Sequence, residues 1–267
     1  MKVIINADDF GFHENANRAI CEGFAKGFVS NTTAMVTMPA FEVGLEMARR
    51  EGFADRMGLH VNLSEGRPLT DGIKRSKIFC DKEGNFNNNI RINRFWRFWL
   101  PESVKPLIAD EIRAQMKVFC SLGLKERHYD SHGQVCVYWP ILPIALQCAK
   151  EFGFKTTRMF INMSANPRDP DMSLPRKLYI SRIVKVIGRS GLSTTTHLGN
   201  SWDLARMVDD LSAETSVEVM SHPQYRLPNN ELSDSGEMVD YKTPYDISFG
   251  AVMMHRHKFD LISFNEI

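Results

Sequence analysis

Short runs of β-branched and apolar residues alternate with longer stretches of helical period along most of the chain, and this restricts the fold to an α/β architecture with mostly parallel strands. Val3 to Asn6 reads as a strand. Asn15 to Lys26 follows as a helix with Ala16, Ala19, Ile20 and Phe24 on one side and Gly27 at its end. Further strands are predicted at Thr32–Thr37, Met57–Val61, His128–Ser131, Lys155–Met159, Thr194–His197 and Val217–Ser221. Between them, helices are predicted at Ala40–Arg50, Pro106–Leu122, Trp139–Phe152, Leu178–Gly188 and Ser201–Leu211, with a last helix at Tyr245–His257 and a last strand at Leu261–Phe264. Two stretches break the rhythm. Ser64–Pro101 carries a polar turn and the aromatics Phe95, Trp96, Phe98 and Trp99, and reads as an excursion from the sheet. Asn162–Pro175 is proline-rich and polar, the composition of a lid or binding loop. No composition shift or repeat marks a boundary, so residues 1–267 read as one domain.

Charge excludes some partners. Lys and Arg total 33 against 32 for Asp and Glu, a formal net charge of +1 that gives no general attraction to nucleic acid or to acidic membranes. The apolar run before Asp8 is too short for a signal-peptide core, and no run approaches the ~20 residues of a membrane span. Cys21, Cys80, Cys120, Cys136 and Cys148 are odd in number and scattered, which suits reduced thiols. The expectation is a soluble cytoplasmic protein.

The chemistry sits at strand ends. Asp8-Asp9, His60, Asp130-Ser131-His132 and Ser221-His222 each close a predicted strand, and in a parallel α/β barrel the loops after the strands gather at one face. Neighbouring carboxylates such as Asp8 and Asp9 can diverge, one toward a cation and one toward a proton, although acidic residues are also ordinary turn formers. Alternation places His60 opposite Leu59 and Val61, so that it projects inward. One carboxylate with two imidazoles is a credible ligand set for zinc or another divalent ion, with Asp130 either the carboxylate of such a set or orienting a histidine from behind. Pro223 biases His222 toward extended backbone at its strand end, and an imidazole there can act as an acid near neutral pH. His13, His128, His197, His255 and His257 lack comparable settings and read as structural or surface residues.

Asn6-Ala7-Asp8-Asp9-Phe10-Gly11, Gly58-Leu59-His60-Val61-Asn62-Leu63, Asp130-Ser131-His132 and Ser221-His222-Pro223 together resemble the YdjC/ChbG-like carbohydrate deacetylases, nearly end to end. The resemblance implies an irregular, TIM-barrel-like (β/α) barrel and metal-dependent removal of acetyl groups from N-acetylated sugars, chitooligosaccharides such as diacetylchitobiose foremost. It also implies a homodimer and a divalent ion, Mg2+ or Zn2+. Carried over by position, Asp9, His60 and His132 hold the metal, Asp8 is the general base, His222 is the acid at the leaving amine, and Arg158 and Asp130 meet the substrate. The chain departs from the family where Gly133-Gln134-Val135-Cys136 replaces a histidine-rich segment, which keeps a weakly active or inactive sugar-binding protein as an alternative. A glycoside hydrolase is the other, since barrels and paired carboxylates also serve glycosidic cleavage.

Overall fold

The computed structural model describes residues 1–165, 173–226, 237–240, 247–248 and 253–267. Its strands and helices follow in the order β1 (Lys2–Phe10), α1 (Glu14–Ala25), β2 (Asn31–Ala34), α2 (Phe41–Arg50), β3 (Met57–Val61), α3 (Asp71–Lys74) and α4 (Asn89–Ile92). Next come α5 (Lys105–Ser121), β4 (His128–Ser131), α6 (Leu142–Glu151), β5 (Thr156–Thr157), α7 (Leu174–Ser190), β6 (His197–Asn200), α8 (Ser201–Met207) and β7 (Ser216–Ser221). Short strands β8 (Pro223–Arg226), β9 (Glu237–Asp240), β10 (Ile247–Ser248) and β11 (Asp260–Leu261) complete the chain.

The predicted alternation is present, with shifted ends. The strand expected from Thr194 begins at His197 instead, and Thr195 and Thr196 turn their hydroxyls onto neighbouring backbone carbonyls. Of the helix expected at Tyr245–His257, residues 245–246 and 249–252 fall outside the described residues, while Ile247 and Ser248 pair antiparallel with β9 and a 3₁₀ turn begins at Arg256. Residues 166–172 of the expected lid also lie outside them.

The main sheet is parallel, in the order β5-β4-β3-β2-β1-β7-β6, with β11 against the start of β1. It curls into a half-barrel. Of the irregular, TIM-barrel-like barrel that the resemblance implies, the described strands form an open curl whose hydrogen-bonded path ends at β5 and β6. Those edges approach through one bridge, Thr156 to Ser193, and through Asn162, whose N–H donates to the Leu198 carbonyl. A strand of two residues at β5 is too short to carry a ladder across that gap.

Each strand of the curl separates two environments. In β1, Val3, Ile5 and Ala7 join the large apolar cluster under the helices, while Ile4 packs inside the curl with Ile262 and Phe264. Phe264 stacks on His128 at 3.4 Å between ring centroids, so a C-terminal 3₁₀ turn closes one end of the interior with apolar surface. Toward the other end the same face turns polar. Asn6, Asp8, Thr33, His60, Asp130 and Glu218 are all buried there.

Helix α5 fixes the exit of β3. Gln115 accepts from the Asn62 N–H and donates to its carbonyl, and the Glu111 carboxylate accepts from the N–H groups of Leu69 and Thr70. These bonds start the excursion predicted from Ser64, which contains α3 and α4 and is anchored by buried Ile73, Phe79, Ile90 and Leu100. Its aromatics are mostly not core: Phe95, Phe98 and Trp99 are 55%, 63% and 52% exposed.

Candidate metal centre and catalytic pocket

Register brings the predicted residues together. Ala7 of β1 pairs with Ser221 of β7, so Asp8 and His222 leave adjacent strands side by side. His60 pairs with Asp130 across β3 and β4, and Tyr129 pairs with Thr157, which sets Arg158 just beyond.

Asp8 and Asp9 diverge because β1 breaks its ladder. The register with β2 shifts between Ala7 and Phe10, the Thr32 hydroxyl donates to the Ala7 carbonyl, and Ser221 donates to the Asn6 carbonyl. Asp9 then adopts φ 66°, a left-handed conformation uncommon for a residue with a Cβ, and its carboxylate turns away from that of Asp8. Asp9 Oδ1 lies 2.7 Å from His132 Nδ1 and 3.4 Å from His60 Nε2. Asp8 faces Arg158, which grips both of its oxygens at 2.6 Å.

Behind the ligand atoms a second layer orients them. His60 Nδ1 donates to Asp130 Oδ1 at 2.6 Å, leaving Nε2 toward Asp9. The Thr33 hydroxyl donates to the other Asp130 oxygen, and Asn6 Nδ2 bridges Asp8 and Thr33. Arg158 is 3% exposed and binds three carboxylates, adding Asp130 Oδ2 at 2.8 Å and Glu218 Oε1 at 2.6 Å. Its guanidinium therefore lies beneath the pocket, engaged by protein groups, and Asp130 is likewise committed to His60 and Arg158. Neither is among the residues that line the cavity over the histidines.

Electrostatics follow from this packing. Burial opposes charge on Asp8, yet the Arg158 guanidinium outweighs it and holds the carboxyl at about 2. Glu218, also buried, is pushed up to about 7, the opposite direction to Asp8, although both share Arg158. Burial would lower His60, but Asp130 and the carboxylates of Asp9 and Asp8 raise it to about 10. The point between these groups strongly favours positive charge.

Among the described residues, three sets of side chains have ligand atoms within 4.8 Å of one another: Asp9, His60 and His132; Asp8, His60 and Asp130; and His128, Asp130 and Glu218. The second and third have the Arg158 cation among their oxygens, and burial drives His128 well below the ordinary histidine range while its ring is stacked on Phe264. Asp9, His60 and His132 are the set that fits a divalent cation: two imidazoles and a carboxylate, with a carboxylate behind His60. They converge without any histidine from residues 133–137.

A cavity of about 260 Å³ opens over this set, lined by Asp8, His60, Arg91, His132, Met220 and His222 among others. His222 Nε2 is 3.9 Å from Asp8 Oδ2. Arg91 comes from α4, and nothing in its sequence setting marks it. Its Nη1 donates to His132 Nε2 at 3.1 Å, and it reaches Glu65 at 3.5 Å. Gly133 makes room: a Cβ there would stand 2.2 Å from Arg91 Nε. Glu218 and Thr33, by contrast, were accessible to reading, since strict alternation in Ser216–Ser221 and Asn31–Ala34 places both on the inward face.

Residues 2–252 match the family model described as YdjC-like protein. A protein of Brevibacillus brevis named carbohydrate deacetylase is 29% identical over 275 residues, covering 100% of both chains. One of Vibrio cholerae with the same name is 34% identical over 57% of this chain and 56% of its own. A crystal structure described as that of a cellobiose-phosphate cleavage protein from Enterococcus faecalis superposes with a TM-score of 0.69 at 20% identity, covering 99% of this chain and 98% of the other, a likeness of fold.

Proposed function

The chain belongs to the YdjC-like protein family, and on that premise we propose that it is a metal-dependent deacetylase of N-acetylated sugars. The observation that carries the reading is the Asp9, His60 and His132 set beside Asp8 and His222 at one cavity. Bound there, Mg2+ or Zn2+ supplies the Lewis acidity that polarises an acetamide carbonyl and acidifies a water. Asp8, held ionised and in place by Arg158, accepts the proton of the attacking water. His222 donates a proton to the sugar nitrogen as the C–N bond breaks, so that acetate and a neutral amine leave. Asp130 sets the His60 tautomer, and Arg158 positions Asp8 from below. The substrate class is an N-acetylated chitooligosaccharide such as diacetylchitobiose, and the assembly a homodimer in the cytoplasm. Among the described residues no helix is long and apolar enough to cross a membrane.

A glycosidase needs two carboxylates flanking the bond. Asp8 is the one carboxylate among the described residues lining the cavity, so the glycosidase reading lacks its second group. Incubation with N-acetylated sugars followed by separate assays for acetate and for shortened sugars tests this. Acetate is expected; shortened sugars without acetate would reject deacetylation.

His60 gives the reading a pH signature. Without a cation its pKa stands near 10, above the ordinary 6.5, so its proton favours the folded state below pH 6.5 and that contribution is lost as pH rises through about 10. A cation on Nε2 must displace that proton. We expect cation binding at pH 7 to release about one proton and affinity to rise with pH toward 10. Calorimetry in buffers of different ionisation enthalpy measures it, and proton-neutral binding would remove His60 from the ligand set.

The exposed Phe98 ring supplies sugar-stacking surface. Phe98 and Tyr179 lie 6.1 Å apart, and together with Phe160 they line a cavity of about 370 Å³. Phe98→Ala is expected to raise KM for a disaccharide by about three- to tenfold with little change in kcat, the size of losing about 1 kcal/mol of stacking. An unchanged KM would leave the ring without a substrate contact.

A further inference from the structure

We infer that Arg91 is a positioning residue that occupies the coordinating electron pair of His132, and that a divalent cation can bind His132 only by displacing it. The inference rests on the metal reading above.

A neutral imidazole has one N–H and one lone pair, whereas a guanidinium has only donors. Arg91 Nη1 lies 3.1 Å from His132 Nε2, so the lone pair is on Nε2 and the proton is on Nδ1, which donates to Asp9 Oδ1 at 2.7 Å. If His132 ligates through Nε2, Arg91 stands where the cation must go. If it ligates through Nδ1, the proton moves to Nε2 and two N–H groups then face each other at 3.1 Å. In both cases the guanidinium has to leave.

The surroundings allow that movement. Arg91 has one carboxylate partner, Glu65, at a long 3.5 Å, and its side chain is 34% exposed. Gly133, at φ 62°, leaves the space it crosses open. Glu65 is itself tied to the excursion by Asn88 Nδ2 at 3.0 Å, so the displaced arginine stays at the cavity wall.

Two measurements on the full chain decide it, with Zn2+ alone as the probe. In cation-free wild-type protein the nitrogen-15 spectrum of His132 should show Nδ1 protonated and Nε2 bare, and Arg91→Met should shift the Nε2 resonance as its hydrogen bond is lost while Nδ1 stays protonated on Asp9, with the thermal midpoint preserved within a few degrees. Zn2+ affinity in Arg91→Met should rise by at least about tenfold, because the competing hydrogen bond is gone. A protonated Nε2 in cation-free wild type, or equal Zn2+ affinities, overturns the inference while leaving the metal site intact. Failure of wild type and variant alike to bind Zn2+ would remove the metal reading itself.

Discussion

Asp8→Asn is expected to lower acetate release by about 10²–10⁴-fold, the range for loss of a general base, with cation binding retained. The amide keeps one oxygen for Arg158 but cannot take a proton from water. Asp8 is not one of the proposed ligands, which are Asp9, His60 and His132, so occupancy of the cation site should survive. The low pKa makes the argument specific. With the folded value near 2 against an ordinary 3.8, Asp8 contributes stability above about pH 4, and that contribution is lost as pH falls through about 2. Over any working pH the base is ready, so an acidic limb in the rate profile arises elsewhere. Turnover at saturating sugar, beside cation stoichiometry, tests the role; a wild-type rate in the variant would eliminate it.

The second large effect concerns the fold. Arg158→Met leaves Asp8, Asp130 and Glu218 buried without their shared counter-charge, the situation in which breaking a buried ion pair costs about 3–5 kcal/mol. For a chain of this size that corresponds to a drop in Tm of roughly 10 °C. Arg158→Lys should recover only part of it, since one ammonium cannot reproduce a planar fork that meets three carboxylates. Relief should appear on acidification as the carboxylates take up protons, so the gap between wild type and variant narrows toward pH 4. Thermal melts across pH measure this, and a pH-independent difference would show that packing, not charge, is what the arginine supplies.

How much of this was legible follows from the distances over which residues cooperate. Asp9, His60 and His132 could be read from sequence because each closes a strand, and parallel strands deliver their ends to one face whatever the details of packing. The divergence of Asp8 from Asp9 was an open alternative until the bulge in β1 and the left-handed Asp9 settled which carboxylate faces the histidines. The family resemblance implied a substrate contact for Arg158; that Glu218, sixty residues later, and Asp130 enclose it is a property of the curled sheet. Arg91 was invisible for a stronger reason. It belongs to the excursion, whose path is fixed by Glu111 and Gln115 holding loop backbone and not by any hydrophobic period. The half-barrel, too, turns on β5 stopping after two residues, where the β-branched run Thr156-Thr157 gave no warning of so early an end.

The central claim is that the Asp9, His60 and His132 set supports deacetylation. Its most direct test is acetate release from diacetylchitobiose by metal-stripped protein, with Mg2+ or Zn2+ added back and Asp8→Asn as the control. The account predicts no acetate from the stripped protein, restoration by a divalent cation, and none in the control under the same conditions. Full activity after stripping, or acetate release by Asp8→Asn at the wild-type rate, would contradict it.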